Sequence, residues 1–447
     1  MPPTIPDKKT INGWAMYDWA NSAYNLVIVS TVFPFYYLAV THNAATGDQV
    51  KFFGSTFINT ALSNYAIAFA YLLIALLSPF LSSVADYRGN KKRFMQFFCY
   101  LGALACCGLF FFRVQTLEWG IICFVLAAIG YCGSIVFYNA YLPEIAPDHL
   151  QDKVSARGFA YGYIGSVVLQ LICLVFILKP GWFGIEDATF GPRLSFLLTG
   201  IWWLAFAQIT FRRLPAPRLR HQEKKQLLIH GFRELQKVWR ELKEQPLLKR
   251  FLTAFFFYSM GVQTVMLVAA FFAEKVLHLS APQLIGTILV IQLVAIAGAW
   301  IMAVFAGRIG NIGVLQLVVL LWIAICIAAF FVQNATQFYI LAAMVGLVMG
   351  GIQSLSRSTY SRLLPETKDT ASYFSFFDVT EKIAIVIGMF SFAYMEELTG
   401  NIRNSVLPLI GFFALGYVML FFMRRTKDRL RRIETDVSAP QADAVSG

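Results

Sequence analysis

The sequence predicts an all-α integral membrane protein with twelve transmembrane helices in two six-helix bundles. The 447-residue chain is 58% hydrophobic, 16% aromatic and only 14% charged, which is too apolar for a soluble domain with a polar surface. Apolar runs of about 20 residues, long enough to cross the hydrocarbon core of a bilayer, recur from end to end. Short segments of the chain also repeat at nearly constant spacing.

Twelve apolar runs of suitable length account for most of the chain. We place them at residues 15–38, 59–82, 94–112, 119–140, 157–178, 194–211, 251–273, 283–306, 312–332, 336–356, 373–395 and 405–423. The first run is too long for a secretory signal peptide and has no small-residue cleavage site. We therefore expect the first helix to remain in the mature chain.

An internal repeat predicts two halves with the same orientation. The segment FYNAYLPE at 137–144 matches TYSRLLPE at 359–366, and SSVADYRG at 82–89 aligns with AVFAGRIG at 303–310. Parallel repeats of this kind build a large class of secondary transporters. We therefore predict four parts: a six-helix bundle at 1–211, a cytoplasmic linker at 212–250, a second six-helix bundle at 251–424 and a cytoplasmic tail at 425–447.

Basic residues concentrate in alternate loops. Of the 37 Lys and Arg residues, 29 lie in the termini and in the loops after even-numbered spans, and only six lie in the other loops. By the positive-inside rule, both termini and the central linker are cytoplasmic in an inner or plasma membrane. The net charge of +12 then reflects topology, so no nucleic-acid partner is expected.

The central linker contains the pattern of an amphipathic helix at 221–245. Its apolar residues alternate at spacings of four and three: Leu228, Phe232, Leu235, Trp239 and Leu242. Lys and Arg lie between them. Such a helix either lies on the inner membrane surface or docks on the protein itself.

The first span, which begins WAMYDWANSAYN, carries polar side chains in its first turns. At 3.6 residues per turn, one face holds Asp18, Asn21, Ser22 and Asn25. With Asn12 as the N-cap, Asp18 would lie roughly 9 Å inside the cytoplasmic end. A carboxylate at that depth normally faces a water-filled cavity or a protein partner. The alternative is an interfacial acid beside the positive helix N-terminus.

The eleventh span repeats this arrangement. Its segment SFFDVTEKIAIVIG puts four polar residues on one face: Ser375, Asp378, Glu381 and Lys382. Asp378 and Lys382 also form an i,i+4 pair in the favourable order. We expect Arg357 of the tenth span and Asp18 to join them in one charged cluster at the inner mouth. The cluster could act as a gate latch, a proton relay or a clamp for a zwitterion, or it could be a static ion-pair network.

Other residues complete the predicted path and its packing. Tyr24 and Tyr138 could stack on a substrate, and Asn139 lies beside Tyr138. Two glycine pairs have the GxxxG spacing that lets membrane helices approach closely: Gly158 with Gly162, and Gly346 with Gly350. Static packing and sliding helix contacts are both compatible with this spacing.

The segment SSVADYRGNKKR at 82–93 resembles the signature loop between the second and third helices of the major facilitator superfamily. Matching positions hold Ala85, Asp86, Gly89 and Lys91, while Arg88 lies one place after the usual arginine. The resemblance implies that Asp86 contacts the N-terminus of the eleventh helix, near Tyr373, as a gate latch. The second half has Gly307 at the aligned position, so we expect this latch on one side only.

Three further segments resemble, more narrowly, the unknown major facilitator family that is related to autophagy-related vacuolar amino-acid effluxers. They are YDWANSAY, FYNAYLPEIA and GGIQSLSRSTYSRLLPE. The resemblance spans most of the chain. It implies twelve helices, alternating access and a small-molecule solute, with amino-acid efflux or uptake as the favoured activity.

Three classes of function fit a chain of this composition. A secondary transporter of a small organic solute, with a proton as the candidate coupling ion, explains the repeat and the polar stripes. A receptor or regulatory protein on a transporter scaffold needs no polar path. A membrane-embedded enzyme needs a nucleophile and a base, or metal ligands, at membrane depth, and the absence of histidine from the span interiors makes this class less attractive without excluding it. The seven cysteines and five histidines show no metal-site spacing, so neither a metal nor a cofactor is expected. No nucleotide-binding P-loop is present, and the oligomeric state stays open.

Overall fold

The chain folds almost entirely into helices. The computed structural model describes residues 7–42, 47–216 and 227–438. The N-terminal half contains α1 (Lys8–Ala23), α2 (Phe33–Thr41), α3 (Asn59–Arg88), α4 (Lys91–Gly108), α5 (Leu117–Asn139), α6 (Leu142–Ile145), α7 (Asp148–Leu178) and α8 (Phe190–Arg213). After α9 (Leu227–Glu244), the C-terminal half contains α10 (Pro246–Leu277), α11 (Ala281–Ile309), α12 (Asn311–Phe331), α13 (Ala335–Leu363), α14 (Thr370–Thr399) and α15 (Val406–Ser438).

Within the described ranges, eleven helical segments are long and apolar enough to cross a membrane. Helix α14 is as long as these, with 30 residues, but it carries three charged residues in mid-helix and two more near its end. These charges separate it from the other eleven. The predicted all-α membrane fold is confirmed, and a twelfth crossing by α14 stays a prediction.

The first helix begins earlier than predicted, and the expectation that Asn12 caps it is wrong. Asp7 is the N-cap, because its carboxylate accepts hydrogen bonds from the backbone N–H groups of Lys9 and Thr10 at 3.0 and 3.1 Å. The hydrogen bond from the Thr10 hydroxyl, together with these, lowers the pKa of the Asp7 carboxyl. At 1.5 Å per residue, Asp18 therefore lies about 16 Å along the helix from its cap, not about 9 Å.

A π-helical segment, Tyr24–Val32, joins α1 and α2 into one continuous helix. The Thr31 hydroxyl donates to the Leu26 carbonyl at 2.8 Å and lies 2.8 Å from Gln170 Oε1 on α7. A π-helix has wider turns than an α-helix. The face predicted from α-helical spacing therefore holds through Ala23 but does not extend unchanged to Asn25.

A small β-hairpin precedes α3 and was not predicted. Strands β1 (Gln49–Phe52) and β2 (Ser55–Ile58) pair in antiparallel fashion. The two turn residues, Phe53 and Gly54, both have positive φ, at 45° and 84°. Two consecutive positive φ values are typical of the tight turns that match the twist of a hairpin.

Pairs of helices pack in equivalent ways in the two halves. Helix α1 packs on α7 and α8, and α10 packs on α14 and α15. The turns that end α3 and α11 both use a glycine with positive φ, Gly89 at 67° and Gly310 at 78°, and these glycines occupy the same position in the two aligned segments. The halves contact each other through α7 with α11 and α13, and through α3 with α14.

One end of the bundle collects the basic helix termini, and we call it the basic end. There α3 finishes at Arg88, α4 begins at Lys91 and α8 finishes at Arg213. Lys92 Nζ donates to the Leu214 carbonyl at 2.9 Å, which ties α4 to the end of α8.

Helix α9 docks on the protein at the basic end, the second of the two alternatives for the predicted amphipathic helix. Val238 and Leu242 are buried, and the Trp239 ring lies 5.5 Å from that of Phe376 on α14. Its neighbours are α3, α10 and α14. Residues 221–226 and the side chains of Leu228, Phe232 and Leu235 lie outside the described residues.

Candidate functional site

A buried ion pair joins the two halves. Arg357 Nη1 on α13 lies 3.1 Å from Asp18 Oδ2 on α1, and the two residues are only 4% and 6% exposed. Of the three acids in the predicted cluster, Arg357 therefore pairs with Asp18 and not with Asp378 or Glu381. Spacing within a single helix gives the face of each charge, but it does not give the axial position of one helix against a helix of the other half.

The remaining groups around Arg357 also come from the N-terminal half. Its Nε donates to Ser155 Oγ at 2.9 Å and its Nη2 to the Ser155 carbonyl at 2.8 Å. Nη1 lies 3.4 Å from Asn139 Oδ1, and the Tyr138 hydroxyl donates to Asp18 Oδ2 at 2.8 Å. The predicted residues Tyr138 and Asn139 therefore share one site with Asp18 and Arg357.

Gly158 makes room for this ion pair. A Cβ at this position would lie 2.5 Å from Asp18 Oδ2, 2.8 Å from Arg357 Nη2 and 3.0 Å from the Tyr138 hydroxyl. Gly162, one turn later, lies in the same way against Ser22. The first glycine pair therefore allows α1 and its polar side chains to approach α7.

The charges of α14 form a second cluster. Lys382 Nζ lies 3.3 Å from Asp378 Oδ1, as the predicted i,i+4 pair requires, and 3.5 Å from Glu381 Oε2. Gln263 of α10 donates to Glu381 Oε1 at 2.7 Å, and Lys382 lies over the Tyr71 ring of α3. Among the described residues, no hydrogen bond or ion pair links these groups to Asp18 or Arg357. The single predicted cluster is therefore two clusters.

The other residues of the first-span stripe differ in exposure. Asn21 is buried, and its Nδ2 has no hydrogen-bond partner within the described part of the chain. Ser22 and Asn25 are half-buried. Tyr24 is also buried, with its ring packed on those of Tyr131 and Trp203 at 5.0 and 5.9 Å. Tyr24 thus contributes to packing inside the N-terminal half in this conformation.

The signature loop lies where the resemblance implied. Asp86 accepts hydrogen bonds from the backbone N–H of Ser372 at 2.7 Å, the Ser372 hydroxyl at 2.8 Å and the Ala371 N–H at 3.3 Å. These groups form the first turn of α14, next to Tyr373, and a carboxylate is stabilised at a helix N-terminus. The predicted position of Asp86 is confirmed.

The rest of the loop supports this contact. Ala85 is fully buried, Arg88 ends α3 and Gly89 provides the turn. Lys91 forms an ion pair with Glu144 and donates to Thr370 Oγ1 at 2.8 Å. The start of α14 is therefore held by α3, α4 and α6 together.

A further polar contact across the halves was not predicted from the sequence. Asp152 on α7 accepts hydrogen bonds from Asn311 Nδ2 at 2.7 Å and from Arg362 Nη1 at 2.9 Å. Gly307 offers no side chain for a copy of the Asp86 latch, as predicted, but this contact occupies the corresponding place in the repeat. Asp152 and Arg362 lie near helix ends, where charges are common, so no sequence signal separates them from solvated residues.

If the contact of Asp86 with α14 holds a gate closed, loss of the carboxylate charge should make buried residues at the basic end more accessible. We expect Asp86→Asn to raise the rate at which an impermeant maleimide labels a cysteine placed at buried Ser361. The charge–helix interaction is worth up to about 2 kcal/mol, so the open population should rise by up to roughly 30-fold. The matched control is Asp187→Asn, in the loop between α7 and α8. Unchanged labelling in Asp86→Asn would show that Asp86 is no latch.

Comparison with known protein families gives a match over nearly the whole chain. The family model described as "Vacuole effluxer Atg22 like" matches residues 6–431. The uncharacterized MFS-type transporter YxiO of Bacillus subtilis (strain 168) is 32% identical over 439 residues, covering 97% of this chain and 98% of that protein. Autophagy-related protein 22 of Kluyveromyces lactis is 25% identical over 493 residues, covering 96% and 97%.

Solved structures with a similar fold are transporters. The human organic anion transporter MFSD10 (TETRAN) superposes with a TM-score of 0.72 at 10% identity, covering 93% of this chain and all of that one. The proton:xylose symporter XylE superposes with a TM-score of 0.67 at 13% identity, covering 93% and 95%. At these identities the likeness shows the fold alone.

Proposed function

Because the chain belongs to the Atg22-like effluxer family of major facilitator transporters, we propose that it moves a small organic solute by secondary active transport and alternating access. The relatives and structural neighbours are transporters and not enzymes. Amino acids are the substrate class that we propose. We further propose that the chain crosses the inner or plasma membrane twelve times, with the basic end facing the cytoplasm.

The observation that carries the proposal is the pair of charged clusters at the interface of the halves. Each cluster holds an acid and a base, and Asp18 with Arg357 lies between α1 and α13, where the halves meet. A zwitterion presents one ammonium and one carboxylate. Charges of both signs, held inside a membrane protein, are the chemistry that can exchange its own ion pairs for pairs with such a solute.

Both ion pairs are buried, since the Lys382 and Asp378 side chains are 10% and 5% exposed, and the clusters differ in access only at Glu381. The Glu381 side chain is 26% exposed, whereas the Arg357 and Asp18 side chains are sealed at 4% and 9%. Beside the sealed pair, the Ser155 hydroxyl on α7 donates to the Ser354 carbonyl on α13 at 2.8 Å. The Tyr163 hydroxyl on α7 also donates to Gln353 at 2.6 Å. These contacts support a gate that is closed at the basic end.

Counterflow in proteoliposomes tests the proposed function. Vesicles containing the purified protein are loaded with one unlabelled amino acid and diluted into the labelled form. We expect transient accumulation of label that protein-free vesicles do not show. Amino acids, peptides and sugars are first ranked by the rise in melting temperature that each causes. Ligand binding without any flux would favour the receptor alternative and would overturn the transporter proposal.

The guanidinium group of Arg357 gives a second prediction. We expect Arg357→Lys to lower the counterflow rate at least about tenfold, because a single ammonium cannot reproduce the planar fork that contacts both Asp18 and Ser155. The rate is normalised to folded protein measured by size-exclusion chromatography. Arg113→Lys, at an exposed position between α4 and α5, is the matched control. Equal rates in Arg357→Lys and wild type would remove Arg357 from the path.

A further inference from the structure

Three aromatic rings surround the guanidinium group of Arg357. Its central carbon lies 4.2 Å from the ring centroid of Phe159, 4.8 Å from that of Trp14 and 5.5 Å from that of Tyr138. The faces of such rings attract cations. The ion pair with Asp18 is thus only one part of an aromatic enclosure around the charge.

Every group of this enclosure belongs to the N-terminal half. Trp14 and Asp18 lie on α1, Tyr138 on α5 and Phe159 on α7, whereas Arg357 comes from α13. The oxygen acceptors for the guanidinium, from Asn139 and Ser155, are on α5 and α7 as well. The N-terminal half alone therefore supplies a complete receptor for a cation.

The enclosure is built without the help of Arg357. Trp14 Nε1 donates to the Tyr138 carbonyl at 2.9 Å, and the two rings stack with centroids 4.4 Å apart. Both residues are fully buried. The Tyr138 hydroxyl also holds Asp18 in place by its hydrogen bond of 2.8 Å. Withdrawal of α13 would therefore leave the rings and the carboxylate in position.

We propose that Trp14, Asp18, Tyr138 and Phe159 form the receptor for the cationic group of the solute, an ammonium or guanidinium, and that Arg357 fills this receptor when the basic end is closed. This inference rests on the proposed transport function and names the residues that bind the cationic group of its substrate. When α13 separates from α7, the receptor opens toward the basic end and binds the cation of the solute. When the halves close again, Arg357 displaces that cation.

This exchange couples the solute to the movement of the halves. Withdrawal of Arg357 leaves the Asp18 carboxylate without its counter-charge among apolar rings, which disfavours the open state. The receptor binds the cation of the solute only while the basic end is open, because Arg357 occupies the receptor in the closed state. A ligand with such a preference shifts the population toward the open state. A solute without a cationic group cannot do so.

Chemical rescue tests the receptor directly. Arg357→Ala empties the enclosure, and we expect 5 mM methylguanidinium to raise the melting temperature of the purified variant by roughly 2–4 °C. Arg362→Ala removes a neighbouring arginine that pairs with Asp152 outside the enclosure, and it should show no rise. Adding Asp18→Asn to Arg357→Ala should abolish the rise. If Arg357→Ala does not fold, Arg357→Gln takes its place.

Equal shifts in the Arg357 and Arg362 variants would overturn the receptor, whatever the outcome of the transport assay. The substrate class is tested on the wild-type protein. We expect at least tenfold faster counterflow for the best amino acid than for its desamino analogue, the same molecule with hydrogen in place of the ammonium group. Equal rates for the two would show that the receptor does not bind the cation of the solute. The proposed transport function would not be contradicted by that result.

Discussion

Asp18→Asn is expected to abolish accumulation of solute against its gradient, and neutralising Asp18 and Arg357 together should restore folding without restoring transport. Removing one partner of a buried ion pair typically costs about 3–5 kcal/mol, since the other charge stays buried alone. The double variant Asp18→Asn/Arg357→Gln leaves no lone charge. Asparagine preserves the size of the side chain and can still accept the hydrogen bond from Tyr138.

Two measurements separate the roles that Asp18 could have. If Asp18 carries the coupling proton, the single variant loses accumulation driven by a pH gradient but keeps counterflow exchange. If Asp18 binds the cation of the solute or holds the gate without carrying a proton, exchange falls as well, and the residual flux keeps its pH dependence. Asp187→Asn serves as the control. A double variant that folds and transports like wild type would show that the pair is a static structural contact.

Gly350→Ala should cause the largest loss of stability among the glycine variants of α13. Its Cα lies against the backbone of α11, and a Cβ there would overlap the Ala295 carbonyl and lie 3.0 Å from Ala299 N. Backbone atoms cannot relieve such an overlap by a change of rotamer, as a side chain can, so the two helices must move apart. Overpacking of this kind costs about 1–3 kcal/mol.

Unfolding in mixed micelles of increasing SDS content measures the effect. Gly286→Ala on α11 is the matched control, because a Cβ there has no neighbouring atom within 4 Å. It should be neutral or stabilising by up to about 1 kcal/mol, the difference in helix propensity. A Gly350→Ala protein as stable as the control would show that α11 and α13 are free to separate, and that the second GxxxG pair serves sliding and not packing.

The fold was predictable because helices that cross a membrane must be built from long runs of apolar residues, and such runs are visible in the sequence. A bilayer demands about 20 apolar residues per crossing, and each run of that length became a helix. The hairpin at residues 49–58 was not predicted, since it lies between two apolar runs and its ten residues contain no long apolar run of their own. The π-helical segment was not predicted either, because its wider turns depend on contacts with other helices, such as that between Thr31 and Gln170.

The sequence predicted which charged residues belong to the site, but it did not predict which of them form ion pairs with each other. Asp18, Arg357 and Lys382 stand out because a charge inside an apolar run needs a partner. Which partner each one finds depends on how far helices of different halves slide past each other, and no single helix encodes that distance. Arg357 therefore bonds Asp18, whereas Lys382 stays with Asp378 on its own helix. Trp14 and Phe159 were not predicted as site residues, because the sequence does not distinguish an aromatic residue that contacts a cation from one that only packs in the core.

The N-terminal turn of α14 is held from three directions at once. Asp86 bonds Ser372, Lys91 bonds Thr370, and Glu241 of α9 accepts a hydrogen bond of 2.8 Å from the Tyr373 hydroxyl. Because these bonds share one rigid helix end, a movement of α14 breaks them in a single event, and none can be released as a small first step. We expect the resulting barrier to make the proposed gate bistable: long, exponentially distributed closed dwells should alternate with rapid crossings. Single-molecule fluorescence across the basic end would then record jumps between two levels with no gradual drift.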